Sequence, residues 1–356
     1  MPLLFRYKQK GETKMKKILT FILALSLILL TAASLAETLN VFNWGDYIDT
    51  DTLRQFEEET GIDVVYQLYE TNEDMYAKMK SSSFDVIFPS DYMVERLIRE
   101  KRVQEINWDN IPNIKNIDPR FLDRSYDPGS KYSVPYTWGT MGILFNTSMV
   151  EEEPTSWQTL MDPAYTMDML MLNSPRDTLG IALIMTGHDL NSTDPADIED
   201  AKQLLIEQKP MVLAYVVDEV KDKMIAGEAA VALVWSGDAT YCMDENDELD
   251  YVVPKEGSNI FFDAICIPSD AKNVSGAEKF IDFLCRADIA AKNYEYVGYA
   301  IPNTAAIEEL GAEEYNSSPV NNPPQEALDR CEVFRYLPQE EQELYDRAWT
   351  EIISDF

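Results

Sequence analysis

The chain has a single histidine, His188, in 356 residues, and that scarcity removes several chemistries at once. A Ser-His-Asp triad or a histidine-based metal centre has almost nothing to be built from. Cysteine is nearly as sparse. Cys242, Cys266, Cys285 and Cys331 form no CxxC pair, which argues against a zinc cluster. Cys266 and Cys285 lie in apolar segments and read as small core residues; export would permit disulfides, but a chain this long needs none. No P-loop, glycine-rich dinucleotide fingerprint or HExxH stretch is present. No cofactor is expected. Positive charge is also scarce, with 30 Lys and Arg against 63 Asp and Glu and a net charge of −33. That balance excludes nucleic-acid binding through phosphates.

Long apolar runs are missing too, except near the N-terminus. Residues 15–36, MKKILTFILALSLILLTAASLA, have a Lys-Lys start, an apolar middle and a small-residue end. Residues 1–36 are therefore expected to be a secretory signal peptide, cleaved after Ala36, with Met15 as an alternative start. An uncleaved membrane anchor is the competing reading, because the apolar stretch nearly spans a bilayer. No cysteine follows it, which argues against a lipid anchor. The leader carries six basic residues and one acid, so the remainder has a net charge of −38. Such a surface attracts cations at long range, although solubility alone would also account for it.

Beyond the leader, strand-like and helix-like segments alternate: strands at 38–44, 63–70 and 84–90, helices at 50–61, 72–81 and 92–101. Asn72 is the expected cap of the second helix. Residues 106–131, rich in Asn, Asp and Pro, read as loop. A second block follows, with strands at 132–146, 167–174, 211–217 and 229–235 and helices at 176–187, 197–209 and 220–227. The first pattern resumes near FFDAICIP (261–268), and a long helix is expected over 275–296. A charged amphipathic helix covers 340–353. This order predicts an α/β protein with mostly parallel sheets flanked by helices.

In such sheets the ligand crevice lies at the carboxyl ends of the strands. The first strand runs into NVFNWGDYID, where Trp44 and Tyr47 flank Asp46. Spacing alone leaves two readings open, a corner of a cage for an organic cation or a packed strand end with a helix cap. Other strand ends repeat the theme. Ser90-Asp91-Tyr92 ends the third, Ser174 to Asp177 follows another, and Trp235-Ser236-Gly237-Asp238 ends a fourth. Asp263 stands inside the apolar run NIFFDAICIP, where an unpaired carboxylate is costly and a functional role is favoured. Trp138 reads as hinge or core, and Tyr66, Tyr69 and Tyr76 read as packing.

The stretches NVFNWGDYI, FEEETGIDVVYQLYETNEDMYAKMK, FDVIFPSDYMVERL, YSVPYTWGTMGILFN, VWSGDA, FFDAICIPSDAKN and GYAIPN run in order from about residue 38 to residue 303. Together they resemble bacterial extracytoplasmic spermidine/putrescine-binding proteins, the capture subunits of polyamine ABC importers. The resemblance implies a two-lobed type II periplasmic-binding-protein fold with the ligand cleft between the lobes. Lobe 1 would comprise 37–140 and 264–312, lobe 2 141–263 and 313–356. It implies a monomer working with a membrane permease and its ATPase subunit, and no catalysis.

By the same resemblance, Trp44 and Tyr47 are the ring pair that sandwiches the ligand's methylene chain, and Asp46 contacts a terminal amine. Ser90 and Tyr92 are a polar pair, Asp177 a cleft carboxylate, Trp235 and Tyr299 cleft rings, Phe261 a replacement for a Trp, and Asp263 the central acid. Gly45 and Ser174 stand where some members carry a hydroxyl and an Asp. Arg335 falls near a family Gln and would oppose a cation unless paired, for example with Asp177. Physically, a polyamine needs carboxylates for its ammonium groups and rings against its alkyl stretches, each cation–π contact contributing roughly 0.5–2 kcal/mol. An amine-processing enzyme would need a nucleophile–base pair that the sequence does not display. A ferric-iron binder would want clustered tyrosines with His. Another organic cation on the same fold is the nearest alternative.

Overall fold

The computed structural model describes residues 37–318 and 320–354; the expected signal peptide lies outside them. The chain opens with β1 (Glu37–Trp44), α1 (Thr50–Thr60), β2 (Ile62–Tyr69), α2 (Asn72–Lys78), β3 (Val86–Ile87) and α3 (Asp91–Arg99). β1 pairs in parallel with both β2 and β3, and its Leu39, Val41 and Phe42 are buried. Asp49 caps α1 by accepting from Asp51 N, Leu53 and Phe56 supply its buried face, and Gly61 ends it in the left-handed region at φ 72°. The expected cap of α2 shifts by one residue. Thr71, in extended backbone, accepts from Asp74 N, and Asn72 is the first helical residue. The Asn72 amide is turned instead toward Ser90 and Tyr92.

After a loop carrying three short 3-10 turns comes β4 (Ser133–Asn146), a 14-residue strand buried along almost its whole length. It carries the architecture. Its first half pairs antiparallel with β9 (Ile260–Cys266), and its second half with β7 (Val231–Trp235) and β8 (Leu249–Val252). β5 (Met169–Leu172) pairs in parallel with β6 (Val212–Val216) and β7. The strand order is β2-β1-β3-β9-β4-β7-β5-β6, with β8 on β4. Each half of this curled sheet thus has three parallel strands, and the antiparallel pairings belong to the crossing strands and to β8. β9, including residues 260–263, pairs with residues 133–140 of β4, and its first residue also donates from Ile260 N to Glu332 O of the second half.

Helices α4 (Pro175–Met185), α5 (Pro195–Gln208), α6 (Glu219–Ile225) and α7 (Ser236–Glu245) flank the second half. The helix expected over 275–296 is two, α8 (Val274–Leu284) and α9 (Ala287–Val297). The break falls at Arg286, whose backbone is extended at ψ 144° and whose guanidinium turns onto Asp288. Three short helices follow, α10 (Thr304–Leu310), α11 (Ala312–Ser317) and α12 (Gln325–Leu328), before α13 (Gln339–Ser354). Phe56 of α1 meets Phe280 and Phe283 of α8 edge-on, closing the first core. Trp157, Tyr345 and Ile352 are fully buried in the second, so α13 packs on that half. All four cysteines are free thiols, three of them buried.

Candidate ligand-binding cleft

The ends of β1, β3, β5, β7 and β9 converge on a cavity of about 510 Å³ between the two halves. Trp44, Asp46, Tyr47, Ser90, Tyr92, Asp177, Trp235, Phe261, Asp263 and Tyr299 all line it. Parallel pairing brings the first and third strand ends side by side, and β9 inserts Asp263 opposite Ser90.

Asp263 is the central feature. Its side chain is nearly enclosed, at 5 % exposure. Oδ2 accepts from the Tyr47 hydroxyl, which also meets Thr137 Oγ1 at 2.6 Å. Oδ1 is buried and has no hydrogen-bond partner among the described residues. Burial pushes the carboxyl up to about 6, with the Ser90 and Tyr47 hydroxyls acting in the opposite sense. A buried carboxylate with a free lone pair is a socket for a cationic donor.

Rings surround this socket. Tyr47 and Tyr299 meet edge to face at 5.2 Å, and Phe261 and Tyr299 at 6.0 Å. Trp44 and Tyr47 are 6.4 Å apart and inclined at 62°, so they make a corner rather than two parallel walls. Trp44 is fixed by its indole N–H donating to Phe88 O at 2.7 Å. At one end of the cavity, the Asp177 carboxylate accepts from Ser174 Oγ, and burial raises its pKa while Ser174 and Trp235 pull it down. Asn72 donates to Ser90 and Tyr92 at 3.1 and 3.0 Å, which orients both hydroxyls.

With this geometry in hand, the comparisons with known proteins are specific. A profile described as "Bacterial extracellular solute-binding protein" matches residues 51–323. A spermidine/putrescine-binding periplasmic protein of Salmonella typhimurium is 38% identical over 288 residues, covering 80% of this chain and 83% of the relative. The structure of a putative spermidine/putrescine ABC transporter protein from Listeria monocytogenes superposes with a TM-score of 0.86 at 39% identity, over 89% of this chain and 99% of that one. The Streptococcus pneumoniae spermidine/putrescine ABC transporter substrate-binding protein gives 0.75 at 38% identity, over 89% and 98%. The chain belongs to the bacterial extracellular solute-binding proteins. Its fold is the two-lobed type II binding-protein fold, and its place is extracytoplasmic.

Several cleft residues of this solute-binding protein were not among the expected ligand contacts, Asp238 having been noted only as part of a strand end. Asp238, in the first turn of α7, lines the cavity, and burial pushes it up to about 7 against the pull of Lys221. Glu73 accepts from the Tyr92 hydroxyl at 3.2 Å and is likewise raised by burial. Tyr69, expected in packing, also lines the cavity while donating to Phe88 O at 2.6 Å. Asp46 faces the cavity with a left-handed backbone at φ 46° and an ion pair to Lys221 at 3.0 Å. Arg335 does not reach Asp177. It is exposed and pairs with Asp189 and Glu332 at 3.6 and 3.7 Å. The cation behind Asp177 is Arg176, buried over the Phe334 and Tyr345 rings at 4.7 Å each. A Cβ at Gly45 would lie 2.8 Å from Asp218 Oδ2, so a larger residue there would require that carboxylate to turn away. His188 pairs with Asp197 and Asp200 and is not among the cavity-lining residues.

Proposed function

We propose that this solute-binding protein captures a polyamine, spermidine or putrescine, in the cleft and delivers it to an ABC importer. The observation that carries the reading is Asp263, a buried carboxylate with one free oxygen, ringed by Tyr47, Phe261 and Tyr299 at the centre of the cavity. Asp177, Glu73, Asp46 and Asp238 line the same cavity and offer further partners for ammonium groups. Trp44, Tyr92 and Trp235 supply faces for the methylene segments. The names of the Salmonella and Streptococcus relatives point to the same ligands.

The protein binds without catalysis. The cavity hydroxyls of Tyr47, Ser90, Tyr92 and Ser174 engage carboxylates, amides or another hydroxyl rather than a basic nitrogen. Lobe 1 comprises 37–140 and 260–312, and lobe 2 comprises 141–259 and 313–356, since β9 pairs with residues 133–140, although Ile260 N also donates to Glu332 O of lobe 2. Closure of the lobes around the ligand presents one surface to a permease, whose ATPase subunit drives import, and the binding protein acts as a monomer.

Calorimetric titration of residues 37–356 with spermidine and with putrescine, at low and at physiological salt, tests this. One-to-one binding of either supports the reading. A folded, ligand-free protein that gives no heat with both overturns it and redirects the search to other organic cations.

A further inference from the structure

The cleft contains a cation of its own. Lys221, on α6 of the second half, reaches across the cavity to Asp46, just past β1 of the first. Its Nζ lies 3.0 Å from Asp46 Oδ2 and 4.0 Å from Asp238 Oδ1. Its side chain is only 15% exposed, and it lies 5.8 Å from the Tyr241 ring, which also lines the cavity. Asp218, one turn before it, completes the cluster by closing over Gly45.

A lysine side chain is an alkyl chain ending in a primary ammonium, which is the chemistry of a polyamine terminus. We propose that Lys221 is a specificity-determining residue. Its tethered ammonium takes the place at Asp46 and Asp238 that a ligand's terminal ammonium would otherwise fill, and so biases the cleft toward diamines and against triamines. This rests on the polyamine reading above and deepens it.

The bias follows from elementary electrostatics. A tethered group competes at an effective concentration on the order of millimolar or more. A third ligand ammonium entering this end must displace Lys221 or sit close to a like charge in a partly buried site. The carboxylates do not simply absorb both cations. Burial pushes Asp238 up to about 7, so the cluster carries less negative charge near neutral pH than its formal count. A diamine avoids the conflict, because Asp263, Asp177 and Glu73 line the same cavity while the ion pairs of Lys221 are to Asp46 and Asp238.

The test is calorimetry of Lys221→Met with putrescine and spermidine, with Lys221→Gln as a second neutral variant and Lys221→Arg as a charge-retaining one. Lys223→Met is the control for net charge, since Lys223 is on the same helix but pairs outward with Glu228. The spermidine-to-putrescine affinity ratio is expected to rise about tenfold or more in both neutral variants, and to stay within about twofold of wild type in Lys221→Arg and Lys223→Met. An unchanged ratio in the neutral variants, or an equal rise in Lys223→Met, overturns the inference while leaving polyamine binding standing. Wild-type protein that binds neither amine removes both.

Discussion

Asp263 combines two demands that conflict in the ligand-free protein. It is enclosed by apolar neighbours, yet one of its oxygens has no partner. Asp263→Asn keeps the shape and removes the charge. Losing one charge-assisted contact costs about 1.5–3 kcal/mol, so polyamine affinity should fall by tenfold or more in calorimetry. Wild-type affinity in that variant would show that the central acid does not meet the ligand. The pH dependence follows from the same burial. Asp238 and Asp263 titrate at about 7 and about 6, above the usual carboxylate range. Binding should therefore weaken progressively from about pH 8 to about pH 5 as both take up protons. The ligand-free protein should respond in the opposite sense. Acids whose pKa is raised by folding contribute stability that is full at low pH and lost as pH rises through 6 and 7, so its unfolding midpoint should gain from these two groups on acidification. Affinity that is flat across this interval would count against both assignments. Asp263 was legible in the sequence because a lone acid inside NIFFDAICIP stands out. Asp238 was visible only as part of the strand end Trp235-Ser236-Gly237-Asp238, and Glu73 and Lys221 were not legible, because each sits in a helix among ordinary charges in a chain with 63 acids.

The elements that aim these residues are short and closely fitted. α7 starts directly at the end of β7, and its Gly237 faces the Tyr299 ring so closely that an added Cβ would lie 2.1 Å from it. Gly237→Ala should push Tyr299 off its place beside Tyr47 and Phe261, lowering both affinity, by about tenfold, and the unfolding midpoint, as overpacking commonly costs ~1–3 kcal/mol. A crystal structure or aromatic NMR spectrum showing Tyr299 unmoved would contradict this. α7 also shows where sequence reading stops. SGDATYCMDE has Gly, Thr, Cys and Asp in place of strong helix formers, so no helix was expected after the strand at 229–235. Packing supplies what propensity lacks, since Ala239 and Cys242 are fully buried against the sheet. The α8–α9 break was hidden for the opposite reason. Residues 275–296 carry no proline and keep an apolar periodicity across the junction, and the interruption comes from one extended residue, Arg286, and its grip on Asp288. The strand expected over 84–90 keeps regular pairing only at Val86–Ile87, because flanking groups bond outside the ladder: Asp85 Oδ1 accepts from Lys272 N and Asn273 N, and Phe88 O accepts from the Trp44 and Tyr69 side chains. The alternation of strands and helices in both blocks was readable from apolar periodicity. The antiparallel crossing by β4 and β9 was not, since a strand buried on both faces looks alike in either direction.

For the molecule as a whole, ligand binding is coupled to stability and shape. Polyamine at about 100 times its dissociation constant should stabilise the fold by ~2.7 kcal/mol, seen as a rise in unfolding midpoint. The radius of gyration from small-angle scattering should fall as the lobes close, and identical profiles with and without ligand would argue against hinge closure. With a net charge of −33 on the full chain, affinity should also weaken as salt rises. The sheet topology has a consequence for the order in which the chain can fold. β3 reaches its antiparallel neighbour only through Ile87 and Cys266, and the first half of β4 only through residues 260–266. A nascent chain ending before residue 260 therefore leaves the facing edges of β3 and the first half of β4 unpaired. Contacts so distant in sequence form late, because the intervening loop must be closed before they contribute. A chain threaded outward N-terminus first is thus expected to stay pliable until most of its length has passed, with stable protection of β1, β3 and β4 amides in hydrogen exchange appearing only once β9 is present.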